Sequence, residues 1–207
     1  MPEPLAAPIL VLATHNAHKV EELRRILGPR LDGIRLVGYD GPEPVEDGDS
    51  FEANALIKAR AAARHTGLAA IADDSGIVVD ALDGAPGIHS ARYAGSRDDA
   101  DNRDLLLANL AGSEDRSARF VCAAAFVAPG ASEGTEVAFE HVETGVWEGD
   151  VLRAASGSGG FGYDPLFHPQ GEQGSAAEMT AEEKNAVSHR SIAFGRILGI
   201  VRGHLLG

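Results

Sequence analysis

Cysteine is nearly missing from this 207-residue chain: Cys122 stands alone, so no disulfide can form within it. It lies in the apolar run 120–127 and reads as a core thiol. Basic residues are the minority, 18 Lys and Arg against 31 Asp and Glu, for a formal charge of −13. A surface so biased repels a nucleic-acid backbone and argues against a general DNA- or RNA-binding role. It is compatible with one nucleotide, which a few local cations and a divalent metal can hold. Long apolar runs are also missing, since none reaches the roughly 18–20 residues that cross a bilayer, and no membrane partner is expected. The first residues, MPEPLAAPILVLA, carry no basic n-region and lead straight into a strand-like run. No signal peptide is expected, and the cytoplasm is the simplest compartment. There is no G-x-x-x-x-G-K-[ST] phosphate loop, no internal repeat and no low-complexity tract.

What is present suits one folded domain over residues 1–207, with room for two small lobes. Hydrophobic residues make up 44% and charged residues 24%. An apolar run at 9–14 suits a buried strand. Val20, Leu23 and Leu27 then share a helical face, with Asn16 as N-cap and Gly28-Pro29 as the stop. Residues 34–39 alternate like a strand. Ser50 caps a second, alanine-rich helix that runs to about His65, with Gly67 as its stop. Residues 68–73 and 77–82 read as two strands broken at Ser75-Gly76. Residues 84–97 read as loop, and a helix follows near 98–110. Two strand-rich stretches, 117–128 and 134–148, flank a hairpin turn at Pro129-Gly130. A glycine-rich loop and a last helix over roughly 188–205 close the chain. Early alternation of strands and helices, followed by hairpins, predicts an α/β protein with a mixed sheet.

Five segments carry residues suited to chemistry. Thr14-His15-Asn16-Ala17-His18-Lys19 sits at a strand-to-helix junction, where free N–H groups and the helix dipole favour a phosphate. The same residues suit a plain capped helix with a solvated lysine. His15 and His18 have no third ligand nearby in sequence and read as non-ligands. Glu46, in the acidic loop PVEDGD, offers the oxygen donor that Mg²⁺ prefers, or is ordinary surface charge. Asp73-Asp74-Ser75-Gly76 places two carboxylates at the end of an apolar strand, where charge is rare unless paired or metal-bound. An Asx-type turn is the alternative. Successive strand residues face opposite ways, so the two aspartates cannot share one role.

The stretch 157–165, GSGGFGYDP, formally matches G-x-G-x-x-G, but Pro165 argues against a helix opening there. It reads as a loop presenting Phe161 and Asp164. Phe161 either stacks on a base or packs into the core. Finally, Ser188 looks like an N-cap that places His189 and Arg190 in the first turn of a helix. Cations there oppose the macrodipole and suggest a nearby anion or an acceptor-rich ligand.

Taken together and in this order, LATHNAHKVEEL, SFEANALIKARAA, IADDSGIVVDALDGAPGIHSARYAG, GFGYDPLF and EMTAEEKNAVSHRSIA resemble the inosine triphosphate pyrophosphatase family along nearly the whole chain. The resemblance implies an elongated, two-lobed α/β fold with a long mixed central sheet and an inter-lobe nucleotide cleft. It implies a homodimer that requires Mg²⁺ and releases pyrophosphate from nonstandard purine nucleoside triphosphates such as ITP, dITP and XTP. It assigns Thr14, His15, Asn16, Ala17, His18 and Lys19 to the phosphates, Glu46 and Asp74 to the metal, and Asp74 to catalysis. Substrate contacts fall on Ser75, Phe161, Gly162, Tyr163, Asp164, Lys184, His189 and Arg190. His15 stands where the family commonly has glycine, and an ordinary backbone with the side chain turned away is expected there. Within this scheme Arg190 and His189 donate to a 6-oxo group, which adenine lacks. Rejection of guanine falls to the 2-amino side, with Asp164 or nearby backbone as candidates. Against this stand a pyrophosphatase for modified pyrimidines, as in Maf-like proteins, a nucleotide-binding regulator, and an aspartyl-phosphate phosphatase. SHR with GFGYDP, the retained Glu46, Asp74 and Lys19, and the lack of D-x-D-x-T argue against them in turn.

Overall fold

A computed structural model describes residues 7–130 and 137–207. Its described elements run in the order β1 (Ile9–Leu12), α1 (Ala17–Leu27), β2 (Arg35–Gly38), α2 (Phe51–Thr66), β3 (Ala69–Val79), α3 (Asp99–Asn109), β4 (Ser117–Ala128), β5 (Phe139–Val151), β6 (Phe167–Pro169), α4 (Ala181–Val187) and α5 (His189–Leu206). The strands form one sheet in the order β2-β1-β3-β4-β5-β6. β1 lies parallel to both β2 and β3, with Leu10 opposite Leu36 and Ala69. Helices α1 and α2 supply the connections that parallel neighbours require. β6 runs antiparallel to β5, with Val151 opposite Phe167, so the sheet is mixed, as the alternation of elements predicts.

Two compact units share these strands. One comprises residues up to Asp73, Ala123–Glu143 and Ala193–Gly207; the other comprises Asp74–Cys122 and Thr144–Ile192. In the first, Ala55, Ala59, Ala62 and Ala63 recur at helical spacing on α2 and are fully or almost fully buried. They pack with Ala70, Ala72, Ala123 and Ala125 of β3 and β4. Small side chains on both surfaces let the helix lie close to the strands. The second core is built differently, from Phe120, Trp147, Tyr163, Leu166 and Phe167, closed by Leu106 of α3 and by Leu110, which caps its C-terminus. Cys122 is completely buried, as its apolar run implies.

The capping residues legible in the sequence act as caps. Asn16 Oδ1 accepts from Lys19 N–H, Ser50 Oγ accepts from Ala53 N–H, and Gly67 closes α2 in the left-handed conformation. Of the stretch 134–148, residues 134–136 lie outside the described residues, and β5 continues to Val151. Two elements are additions. Thr180 and Glu183 form a reciprocal capping box that starts α4, and β6 follows a short 3-10 turn at Asp164–Leu166. Residues 87–92, read as loop, form a 3-10 helix.

One expectation is overturned. β3 does not break at Ser75-Gly76 but runs unbroken from Ala69 to Val79, so Asp73 and Asp74 sit in mid-strand and no Asx turn forms. The cause lies in the segment that packs beside it. Ser90 Oγ accepts from Ile77 N–H at 2.9 Å and donates to Gly87 O at 2.7 Å. A Cβ at position 76 would collide with Gly87 O and Ser90 Oγ. Gly76 is therefore a point of close approach within a strand and does not end it. Gly76→Ala should cost about 1–3 kcal/mol through overpacking. Gly199→Ala, on the exposed side of α5 with open space at its Cβ, should instead stabilise by about 0.5–1 kcal/mol. Urea unfolding of both variants should give midpoints that move in opposite directions.

Candidate active site

In the first unit the site begins at the junction of β1 and α1. Asn16 caps the helix, and its own N–H donates to Thr14 Oγ1 at 3.2 Å. Lys19 therefore falls in the first turn, where its charge opposes the helix dipole. Its Nζ donates to Asp73 Oδ2 at 2.9 Å, and the Asp73 side chain is fully buried. This contact explains why one carboxylate of the pair is tolerated inside β3. Strand alternation turns Asp74, itself buried, to the opposite face.

His15 adopts an ordinary backbone conformation: among the described residues Asp83 is the one non-glycine with positive φ. Its ring turns toward the segment after β2, where Nε2 lies 2.9 Å from Gly41 O and the ring meets Tyr39 edge-on at 5.6 Å. His15 thus tethers two loops without backbone strain. Ala17 and His18 begin the helix and are exposed. Glu46 Oε2 accepts from Lys58 Nζ of α2 at 2.9 Å. Gly48 N–H donates to the Asn54 side chain at 2.9 Å, which fastens the acidic loop to the start of the same helix. The loop carboxylate is therefore held in place by a cation, unlike a freely solvated surface charge.

The second unit gathers the remaining candidates. Asp164 is 2% exposed, and its Oδ2 accepts from both Phe161 N–H at 2.8 Å and Lys184 Nζ at 2.6 Å. Phe161 is half-buried and has two cations near its ring, Lys184 Nζ 5.4 Å and Arg190 Cζ 5.0 Å from the ring centre. Arg190 Nη2 donates to Ser75 Oγ at 2.9 Å, which ties the first turn of α5 to β3. His189 stacks on Phe120 at 4.7 Å with an interplanar angle of 13°. Phe120 thereby covers one face of the imidazole. Ser188 N–H closes α4 and the Ser188 hydroxyl accepts from Ser191 N–H, so one residue ends a helix and starts the next. Tyr163 is buried and donates its hydroxyl to Ser90 O at 2.9 Å. Burial, helped by Tyr93 and Asp99, pushes its phenol well above the ordinary range, so it stays a donor.

Sequence reasoning missed several participants. Asp73 was seen only as the neighbour of Asp74, and the Lys19 contact bridges 54 positions. Lys58 is the single lysine of an alanine-rich helix, which is a signal, but its partner Glu46 lies in a loop twelve residues away. Among the described residues no cluster of three or more His, Cys, Asp or Glu forms a metal-ligating group.

The Lys184–Asp164 pair yields a stability test. Lys184→Met would leave the Asp164 carboxylate buried without its cation, a loss of about 3–5 kcal/mol. Adding Asp164→Asn to Lys184→Met should restore part of that loss, and urea unfolding of the single and double variants measures both.

Comparisons with known proteins place the chain by sequence and by fold. The model of the Ham1 family matches residues 10–199. A dITP/XTP pyrophosphatase of Leifsonia xyli is 54% identical over 196 residues, covering 93% of this chain and 95% of the relative. One from Streptomyces coelicolor is 51% identical over 205 residues, covering 96% and 98%. Among solved structures, a HAM1 protein from Coxiella burnetii superposes with a TM-score of 0.82 at 39% identity, covering 95% of this chain and 99% of that one. A nucleoside-triphosphatase, or dITP/XTP pyrophosphatase, from Mycobacterium abscessus does so at 0.71 and 47% identity, covering 92% and 98%. With nearly the full chain matched in sequence and in fold, this protein belongs to the Ham1 family.

Proposed function

We propose that this protein hydrolyses nonstandard purine nucleoside triphosphates, namely ITP, dITP and XTP, to the monophosphate and pyrophosphate, and so removes deaminated purines from the nucleotide pool. The observation that carries the reading is the arrangement around Phe161. A half-buried aromatic ring lies within about 5 Å of two cations, one of which, Arg190, is a permanent donor that also bonds Ser75 beside Asp74. The names of the curated relatives support the same substrate class.

In this reading Phe161 stacks on the purine. Arg190 and the edge of His189 donate to the 6-oxo oxygen. Adenine offers an amine there, which leaves buried donors unpaired and lowers its affinity. Asp164 is committed to Phe161 N–H and Lys184, so rejection of guanine falls more to loop backbone than to this carboxylate. The N–H groups at the start of α1, with Thr14 and Asn16, receive the phosphates. Lys19 adds positive charge and exchanges part of its contact with Asp73 for a phosphate oxygen. Asp74 orients water toward the α-phosphorus and takes its proton as pyrophosphate leaves.

Glu46 and Asp74 are hard oxygen donors of the kind Mg²⁺ prefers, and we assign them as its ligands. When bound, the ion would offset charge on the phosphate oxygens. The proposal extends to a cytoplasmic homodimer on the family resemblance alone. Among the described residues no helix is long and apolar enough to cross a membrane.

Pyrophosphate release from inosine, xanthosine, guanosine and adenosine triphosphates, with and without Mg²⁺, tests the reading. Fast Mg²⁺-dependent release from the first two and little from the others is expected. No release from any by a folded protein that binds nucleotide would make it a regulator. Asp74→Asn should keep the fold and remove most turnover, and near-normal rates would overturn its role. Arg190→Ala should raise the KM for inosine triphosphate far more than for adenosine triphosphate; equal effects would remove it from base reading.

A further inference from the structure

Helix α3 has no part in the scheme above, yet two of its side chains hold the loop that carries Phe161. Asp99 Oδ2 accepts from Gly162 N–H at 2.6 Å, and Arg103 Nη1 donates to Gly162 O at 2.8 Å. Residues four apart share a helix face, so one face of α3 meets both polar groups of a single loop residue. The charges match the peptide dipoles: the carboxylate meets the N–H and the guanidinium meets the carbonyl. The two contacts fix the peptide planes on either side of the Gly162 Cα, which has φ +61°. The preceding peptide plane ends at Phe161, and the following one leads to Tyr163, whose hydroxyl is anchored on Ser90 O. Asp164 holds Phe161 N–H from within the loop. The direction in which the Phe161 ring leaves the backbone is thus set jointly by α3 and Asp164.

We infer that Asp99 and Arg103 are positioning residues for base selection, acting through Gly162 on Phe161, an inference that rests on the nucleotide reading of that ring. Neither residue needs to touch the substrate. Their removal leaves the loop chain intact but frees the torsions that aim the ring, so affinity for the base and discrimination between bases fall while the chemical step is spared.

The test uses the full chain and two readouts, steady-state kinetics with inosine, xanthosine and guanosine triphosphates and calorimetric binding of inosine monophosphate. Asp99→Ala and Arg103→Met should each weaken nucleotide affinity about tenfold, the equivalent of one lost charge-assisted hydrogen bond. They should narrow the preference for inosine over guanosine and leave kcat within about twofold. Asp99→Asn, which keeps an acceptor, should recover most of the loss. In a Phe161→Ala background, Asp99→Ala should add less than about twofold, because its effect passes through the ring. Unchanged affinity, a fall in kcat alone, an Asn variant no better than Ala, or additive losses with Phe161→Ala would each overturn the inference. Should Asp99→Ala fail to fold, Asp99→Asn and Arg103→Met carry the same comparison. A wild-type protein that binds inosine monophosphate without hydrolysing the triphosphate would defeat the proposed function, while the binding arm would still decide the role of α3.

Discussion

A carboxylate inside a strand is unfavourable unless a cation or a donor meets it, and the middle of β3 carries two in succession. The Lys19–Asp73 contact answers the first of them. It requires α1 to begin where it does, because the Asn16 cap sets Lys19 in the first turn and within reach of the strand. The same contact offsets the local cost of a cation at a helix N-terminus. Alternation along the strand then directs Asp74 to the other face. The second unit repeats the principle. Lys184 answers the buried Asp164, and the Arg190 guanidinium, again in a first helical turn, reaches the Ser75 hydroxyl. Charged groups that would be unfavourable alone are thereby held in place before any ligand arrives, which is the preorganisation an anionic substrate can use.

Much of the local structure was legible. The caps Asn16 and Ser50, the stop at Gly67 and the bounds of β4 follow from side-chain chemistry within a few residues. What was not legible depends on distant partners. Gly76 looks like a strand break, and only the approach of Ser90 shows why the strand continues. The T-A-E-E run that forms the α4 capping box carries its own start signal, Thr180 with Glu183 three residues on. In the site, each segment taken alone left its alternatives open. It was the ordered set of five that pointed to one family, and the match over residues 10–199 agrees. Asp99 and Arg103 could not have been found from sequence, since their partner lies about sixty residues away and is a backbone group.

The loop at 157–165 shows how a glycine-rich motif can be misassigned. Its spacing suggests a phosphate cradle at a helix start, but the chain turns through a short 3-10 segment into β6 instead. The glycines serve a different end. Gly160 leaves room for the Asp164 carboxylate, which a Cβ there would strike, and Gly162 takes a positive φ between two fixed peptide planes. The polar atoms of the loop are met by Asp99, Arg103, Asp164 and Lys184.

The two cores also differ in what they leave open to change. The interface of α2 with the strands is lined by alanines, whose side chains have almost nothing left to remove. Truncation is scarcely possible there, and any enlargement must push helix and sheet apart. The core around Phe120, Trp147 and Phe167 is the reverse, with large rings whose loss opens a cavity and little need for added volume. Sequence drift in this protein therefore has opposite boundaries in its two halves: one half is confined by growth, the other by shrinkage.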